Sequence, residues 1–447
     1  MLGQIGTGEM VSGGPVEAHP GRPVELSLLG YGTVIYLLGG VLFALAGQTG
    51  AGQSLPGAVG LAGAFVLTHF WLTLTHHRGD QLMLPLIGVL SALGEVELYR
   101  LSPALAIRQF WWICLGLVVL IVLTRWGKNY RNLSEYRYLF MAVVIILLVM
   151  TIVFGVTIGG ARNWLSLGSF RFQPSEGVKI LLVLFLTGFL DENRELLATG
   201  TRRFFGFQLP EPRYLGPLLL TWGITLLLLV FQRDLGTALI FFATFLVMVY
   251  IATSRGTYVG WGLALFLAGS ATAYFLFPHV QERFAVWLNP WGMQAGGGYQ
   301  VVQSLFAIGS GGLVGTGIGL GQPFLIPAVA TDFIYAAVVE EMGLAGGIGV
   351  LLVYLLLIYR GYRTALAANS PAGMILAAGI TSLLAIQTFV IVAGVTRLLP
   401  LTGITLPFIS YGGSSMVANF ALIGLLLNVS QDTARRSTGD AGEGAPS

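Results

Sequence analysis

The sequence predicts an all-α, polytopic integral membrane protein of about twelve transmembrane helices (range roughly 10–12) with one long extracytoplasmic loop. Three observations predict it: 55% of the 447 residues are hydrophobic, only 10% are charged, and mean hydropathy is +0.80. Soluble domains carry about 25% charged residues, so a bilayer is the main solvent of this chain. The net charge of +3 is too small to point to nucleic acid. The single cysteine, Cys114, lies inside the apolar run FWWICLGLVVLIVL, which excludes a disulfide framework and a thiolate metal centre.

A span needs roughly 20 mostly apolar residues. Candidates lie near 26–47, 56–76, 82–98, 106–124, 138–158, 175–190, 214–231, 235–253, 258–277, 333–359, 372–396 and 406–429. The third and sixth are short or polar at one end. Residues 1–25 lack an apolar stretch after a basic start and read as a disordered cytoplasmic tail, not a cleaved leader. Residues 431–447 read as a second tail, leaving 26–430 as one transmembrane domain.

An even number of spans puts both termini on one side, and basic residues decide which. The loop 125–137 holds Arg125, Lys128, Arg131 and Arg137; the loop 191–213 holds Arg194, Arg202, Arg203 and Arg213. The opposite loop 48–55 holds none. The positive-inside rule therefore predicts cytoplasmic termini. Arg100, Arg108, Arg162, Arg171, Lys179, Arg233, Arg283 and Arg397 fall off that side, most of them near the outer ends of spans. Charge near hydrocarbon is costly and is retained for a partner or an anionic ligand.

The longest connection, 278–332, is aromatic and apolar, unlike a disordered linker, and Tyr299–Ile308 predicts a short helix within it. The Gly-rich stretch 309–321 has G-x-G strings but neither a preceding strand nor a following Lys-Ser/Thr, which excludes a phosphate-binding nucleotide loop. Asp332 falls where the loop enters span ten, and its plain role there is an N-cap. Glu340 and Glu341 lie about two turns deeper, where a polar clamp between helices and a part in the chemistry are both open readings. After span five, GARNWLSLGSFRFQPSEGVK brings Glu176 and Lys179 onto one helical face. Asp234 in QRDLGTAL predicts a cap for span eight. PLTGITLPFISYGGSS (400–415) offers small residues for close packing or for backbone contacts with an anion.

Those four stretches together resemble the SEDS family (shape, elongation, division and sporulation), the RodA- and FtsW-like peptidoglycan polymerases, over residues 105–430. The resemblance implies a glycosyltransferase that joins the disaccharide units of lipid II, with a class B penicillin-binding protein as transpeptidase partner. It implies that the acid of the T-D-F motif, here Thr331, Asp332 and Phe333, is the key group. The family's basic residue before Trp matches Arg162 or Asn163, and the Lys of Q-P-x-E-x-x-K matches Lys179. This chain departs at Asn163, where many members have Arg, and at Arg397, where Gly is frequent. It reads Pro327-Ala-Val-Ala-Thr-Asp-Phe where division-type members often read P-E-A-H-T-D-F. Two N-terminal spans exceed the usual ten, which resembles elongation-type, RodA-like members of high-GC Gram-positive and related bacteria.

The chemistry so implied needs a base for the acceptor's 4-hydroxyl and positive charge for the diphosphate leaving group. Asp332 is the expected base. Lys179 and Arg162 lead the expected substrate-binding residues, followed by Arg283 and Arg233, with Glu176, Gln173, Ser410, Tyr411 and Ser414 completing the set. No dedicated metal site is evident, although a divalent cation (Mg or Mn) could share the charge. A flippase for the same precursor and a non-catalytic scaffold for the transpeptidase are the rival readings. Paired, interrupted helices in two repeated halves, the mark of many transporters, are not evident.

Overall fold

The computed structural model describes residues 21–45, 51–126, 135–158, 160–168, 170–198, 202–204, 207–209, 212–293 and 297–439. Residues 1–20, Lys128, Arg131 and the last residues, 440–447, lie outside that description, and with them most of the two predicted tails.

All twelve predicted spans are helices: α1 (Pro23–Leu45), α2 (Ala51–Leu74), α3 (Met83–Leu101), α4 (Pro103–Trp126), α5 (Arg137–Phe154), α6 (Pro174–Ala198), α7 (Pro212–Phe231), α8 (Leu235–Thr253), α9 (Gly256–Leu276), α12 (Ile334–Leu366), α13 (Pro371–Val395) and α14 (Gly413–Gly439). Among the described residues nine are long and apolar enough to cross a membrane; α3, α6 and α7 fall short. The polar ends of α3 and α6 were legible as sequence, and both ends turn out to carry structure.

Three boundaries and one connection differ from expectation. Span five ends at Phe154, because Gly155 is extended and Val156–Ile158 opens a small antiparallel sheet with Ala161–Leu167 and Phe170–Phe172 (β1, β2 and β3). A second hairpin, β4 (Arg202–Phe204) with β5 (Phe207–Leu209), joins α6 to α7. The last helix runs on to Gly439, so residues 431–439 are not an irregular tail; no Gly or Pro interrupts that stretch before Gly439. At the other terminus Arg22 and Glu25 are fully buried, so the expected tail ends earlier than residue 25. Arg22 donates to the carbonyls of His77, Gly79 and Asp80 and pairs with Glu25, whose other oxygen lies 2.7 Å from His69 Nδ1. Arg360 of α12 in turn pairs with Asp80. This clamp fastens α1 and α2 to the helical core at the end remote from Asp332.

The core centres on α13 and α14, both largely enclosed; α4 packs along α14 and α12 along α13. A Cβ on Gly116 would lie 2.5 Å from the Phe420 ring, so the α4–α14 approach needs that glycine. At the other extreme, α9 buries only Gly262, against Leu246. Apolar all round, it rests on α8 through Phe266 against Phe242 and leaves its other faces open, as a lipid-facing span does.

The long connection holds the predicted short helix, now α11 (Gly297–Gly311), and one that was not predicted, α10 (Pro278–Leu288). Its Gly-rich part folds back onto a break in α12, where Gly343 takes φ 69°. Thr316 N and Gly317 N donate to the carbonyls of Glu340 and Glu341, while Leu344 N and Ala345 N donate to those of Gly312 and Leu313. Two carbonyls and two amides at the break are thus answered inside the protein, as hydrocarbon demands. The side chains of the same two acids hold the loop: Glu341 accepts from Gly319 N and Arg100, Glu340 from Gln322 N. The expected clamp of Glu340 and Glu341 is therefore real, but it grips a loop rather than a second span. Arg100 pairs with Glu341, whereas Glu95, five residues before it on α3, has no hydrogen-bond partner on either oxygen.

A Cβ on Gly343 would lie 2.4 Å from Gly315 N and 2.5 Å from the Leu313 carbonyl. Together with a backbone region open almost only to glycine, worth about 1–3 kcal/mol, this makes Gly343→Ala strongly destabilising. The detergent-solubilised variant is expected to melt several degrees below wild type. Gly309→Ala, with nothing near its added Cβ, should melt at or above wild type.

Candidate active site

Asp332 does not cap α12. The N-cap residue is Phe333, with no side-chain cap bond. Instead Thr331 N and Asp332 N both donate to the carbonyl of Ala328, which takes φ 54°, and this turn leaves the Asp332 carboxylate half-buried and facing the connection 400–412. Gly403, at φ 69°, presents bare backbone there: an added Cβ would stand 3.6 Å from Asp332 Oδ2.

The 400–412 connection is built to hold that turn. Ser410 Oγ donates to the Thr331 carbonyl and accepts from Leu406 N, and Tyr411 N donates to the Ala330 carbonyl. Gln109 of α4 supports the connection from behind, donating to the Ser410 carbonyl and accepting from Gly412 N. Ser410 and Tyr411 thus meet the Asp332 turn through positioning contacts.

Arg283 comes from α10. Its guanidinium donates to the carbonyls of Leu401 and Thr402, 2.9 and 3.2 Å away, and feels both Asp234 and Asp332. Arg397 keeps α10 in place by donating to the carbonyls of Trp287 and Leu288 at its C-terminal end. It does so at φ 62°, a left-handed position that glycine adopts more readily than arginine. Burial raises the Asp332 carboxyl from 3.8 to about 6, offset in part by a hydrogen bond with Thr331 and by the Arg283 charge. Burial, reinforced by Arg233 and Arg283, holds His279 below its ordinary range. Arg233 is exposed, at φ 61°, between α7 and α8.

Asp234 caps α8 as expected, accepting from Thr237 N at 3.1 Å, and its second oxygen accepts from Asn163 Nδ2 at 3.0 Å. Neighbouring residues of a strand face opposite ways. On β2 that rule sends Asn163 inward and Arg162 outward, where Arg162 donates to the carbonyls of Gly155 and Val153. Of the two residues before Trp164, Asn163 joins the polar cluster and Arg162 caps the end of α5.

Lys179 lies below the same connection, 4% exposed. Its ammonium group is 2.6 Å from Glu176, 2.8 Å from the Asn419 side-chain oxygen and 3.4 Å from that of Gln387. Gln387 donates to the Thr405 carbonyl, Thr405 to Ser415 Oγ, and Gln173 N to Ser414 Oγ. The connection 400–412 therefore touches the Asp332 cluster at 403 and 410 and the Lys179 cluster at 405. Asn419, Gln387 and Gln109 were missed as sequence; a single amide inside an apolar span was the available signal. Among the described residues no three His, Cys, Asp or Glu side chains converge as ligands for a metal ion. At Asp332 one carboxylate stands beside a guanidinium.

A helical membrane protein with a re-entrant glycine loop, and with one uncapped carboxylate above a polar cluster, is the class that fold and site define. The chain belongs to the FtsW/RodA/SpoVE family of cell cycle proteins, whose model matches residues 72–435. It is 42% identical to the peptidoglycan glycosyltransferase RodA of Mycobacterium tuberculosis, over 80% of this chain and 79% of that protein. It is 35% identical to the stage V sporulation protein E of Bacillus subtilis, over 78% and 94%. It resembles a chain from a structure that describes how a peptidoglycan synthase complex coordinates polymerization and crosslinking (TM-score 0.67, 29% identity, 80% of this chain and 98% of that one). It also resembles the rod shape determining protein RodA of Thermus thermophilus (TM-score 0.56, 29% identity, 79% and 97%).

Proposed function

We infer that this chain is a peptidoglycan glycosyltransferase that polymerises lipid II at the extracytoplasmic face of the cytoplasmic membrane, beside a class B penicillin-binding protein. The observation that carries the reading is Asp332: half-buried, bound to no helix end, and tuned to about 6 next to a fixed guanidinium. A base works best when its pKa lies near the working pH. In the reaction Asp332 takes the proton of the acceptor's 4-hydroxyl as that oxygen bonds to the donor's anomeric carbon. The bond from that carbon to the diphosphate oxygen breaks, and the diphosphate leaves with the electron pair. Arg233, exposed at the rim, and Arg283 are the cations best placed for the charge that develops. Lys179 spends its charge on Glu176, and Arg162 points away. A divalent cation would find Asp332 and diphosphate oxygens as ligands, a set that magnesium accepts.

The rival readings separate in one experiment on purified chain in liposomes containing lipid II. SDS-resistant glycan polymer is the expected product. Movement of precursor between leaflets without polymer would identify a flippase, and neither activity, even with the transpeptidase added, would leave a scaffold.

The pH profile tests the base. The active form is deprotonated, so a raised pKa moves the acid limb upward from the usual 3.8 to about 6, and the rate should fall about tenfold per pH unit below it. Arg283→Met removes a charge that favours the carboxylate, so its limb should move higher still. A limb unmoved in that variant would detach Arg283 from Asp332.

A further inference from the structure

Between α1, α3 and α12 lies a slot of about 190 Å³ that the reaction does not use. Both α1 and α12 pack on α3, and the slot is the space left between them. Gly39 lets α1 close on Val96, where an added Cβ would come within 2.9 Å. The walls are almost wholly apolar: Ala92, Leu93 and Val96 of α3, Val338 and Met342 of α12, and Ile318 of the glycine loop. The mouth is formed by Ile35, Leu38 and Leu42, about half exposed on the face of α1 that lipid bathes. An apolar cavity of this size stays empty of water and takes hydrocarbon.

One wall group does not fit hydrocarbon. Glu97 lines the slot, is 2% exposed, and its Oε2 has no hydrogen-bond partner. It stands one turn from the end of α3 at Leu101, the end nearer Asp332, whereas Ala92 lies more than a turn deeper. A buried carboxyl oxygen left unanswered is destabilising. A hydrogen-bond donor arriving at that depth, with a chain running below it, removes that cost.

We propose that this slot binds one hydrocarbon chain of a membrane phospholipid whose head group donates a hydrogen bond to the Glu97 carboxyl. The chain lies along Leu93 and Ala92, and the donor, an ammonium or a hydroxyl, meets Oε2. Such a lipid bridges the N-terminal hairpin to α12 at the end opposite the clamp formed by Arg22, Asp80 and Arg360.

The test uses full-length protein in nanodiscs doped with phospholipid carrying a diazirine in its acyl chain. One preparation has an ethanolamine head, a donor; the other has a choline head, which has none. Labelled peptides from 31–42 and 92–97 are read by mass spectrometry. One hydrogen bond of about 1 kcal/mol should favour the ethanolamine lipid about fivefold at these peptides, and Glu97→Leu should abolish that preference. Ala92→Phe fills the slot and should remove the label there while α9 labels as before. Leu38→Trp, on the exposed rim, narrows the mouth and gives the same readout if Ala92→Phe does not fold. Equal labelling by both lipids in wild type, or a label on 92–97 that neither blocking variant reduces, overturns the proposal.

Discussion

Asp332→Asn is expected to abolish polymer formation by the purified chain, a loss of about 10²–10⁴-fold, while leaving its melting temperature within a degree or so of wild type. The two halves of that expectation come from one geometry. Asn keeps the shape and can still bond with Thr331, and the carboxylate it replaces caps no helix. The turn itself is held by main-chain bonds to Ala328 and by Ser410, which the substitution does not touch. Only proton uptake is lost. The measurement is SDS-resistant glycan from lipid II beside a thermal melt; polymer at the wild-type rate would remove Asp332 as the base.

Lys179→Met is expected to act differently, through folding first. The resemblance makes Lys179 a leading substrate-binding residue, a role in which its loss would weaken donor use directly. In the fold its ammonium group is committed to Glu176, Asn419 and Gln387. Removing one partner of a buried pair costs about 3–5 kcal/mol, because the remaining charge is stranded. The single variant should therefore show a large fall in folded yield and melting temperature. The double variant Lys179→Met with Glu176→Gln should recover most of both. A single variant as stable as wild type but poor in donor use would restore the direct anion-binding role.

The contrast between these residues marks what a sequence can carry. Twelve spans were legible because hydropathy is a local property summed over a long window. The Asp234 cap was legible because a cap and the amide it binds are three residues apart. Asp332 had the same local look, yet its turn is set by a positive φ at Ala328 and by contacts from 410–411, which no neighbouring residue announces. Lys179 finds Gln387 and Asn419 at separations of 208 and 240 residues, so its commitment could not be read locally. The three-residue strands β1 and β3 are too short to show a period, and α10 was hidden inside an irregular-looking connection.

The splice between the glycine loop and α12 has a consequence in time. Main-chain bonds run both ways between 312–317 and 340–345, so the loop has no opening motion of its own; it comes free only when a turn of the helix unwinds. The amides of Thr316 and Gly317 should then exchange with deuterium at the pace of the buried span, although they sit among glycines beyond a helix end. A segment that composition marks as the softest in the chain is, by its bonding, tied to one of its longest helices.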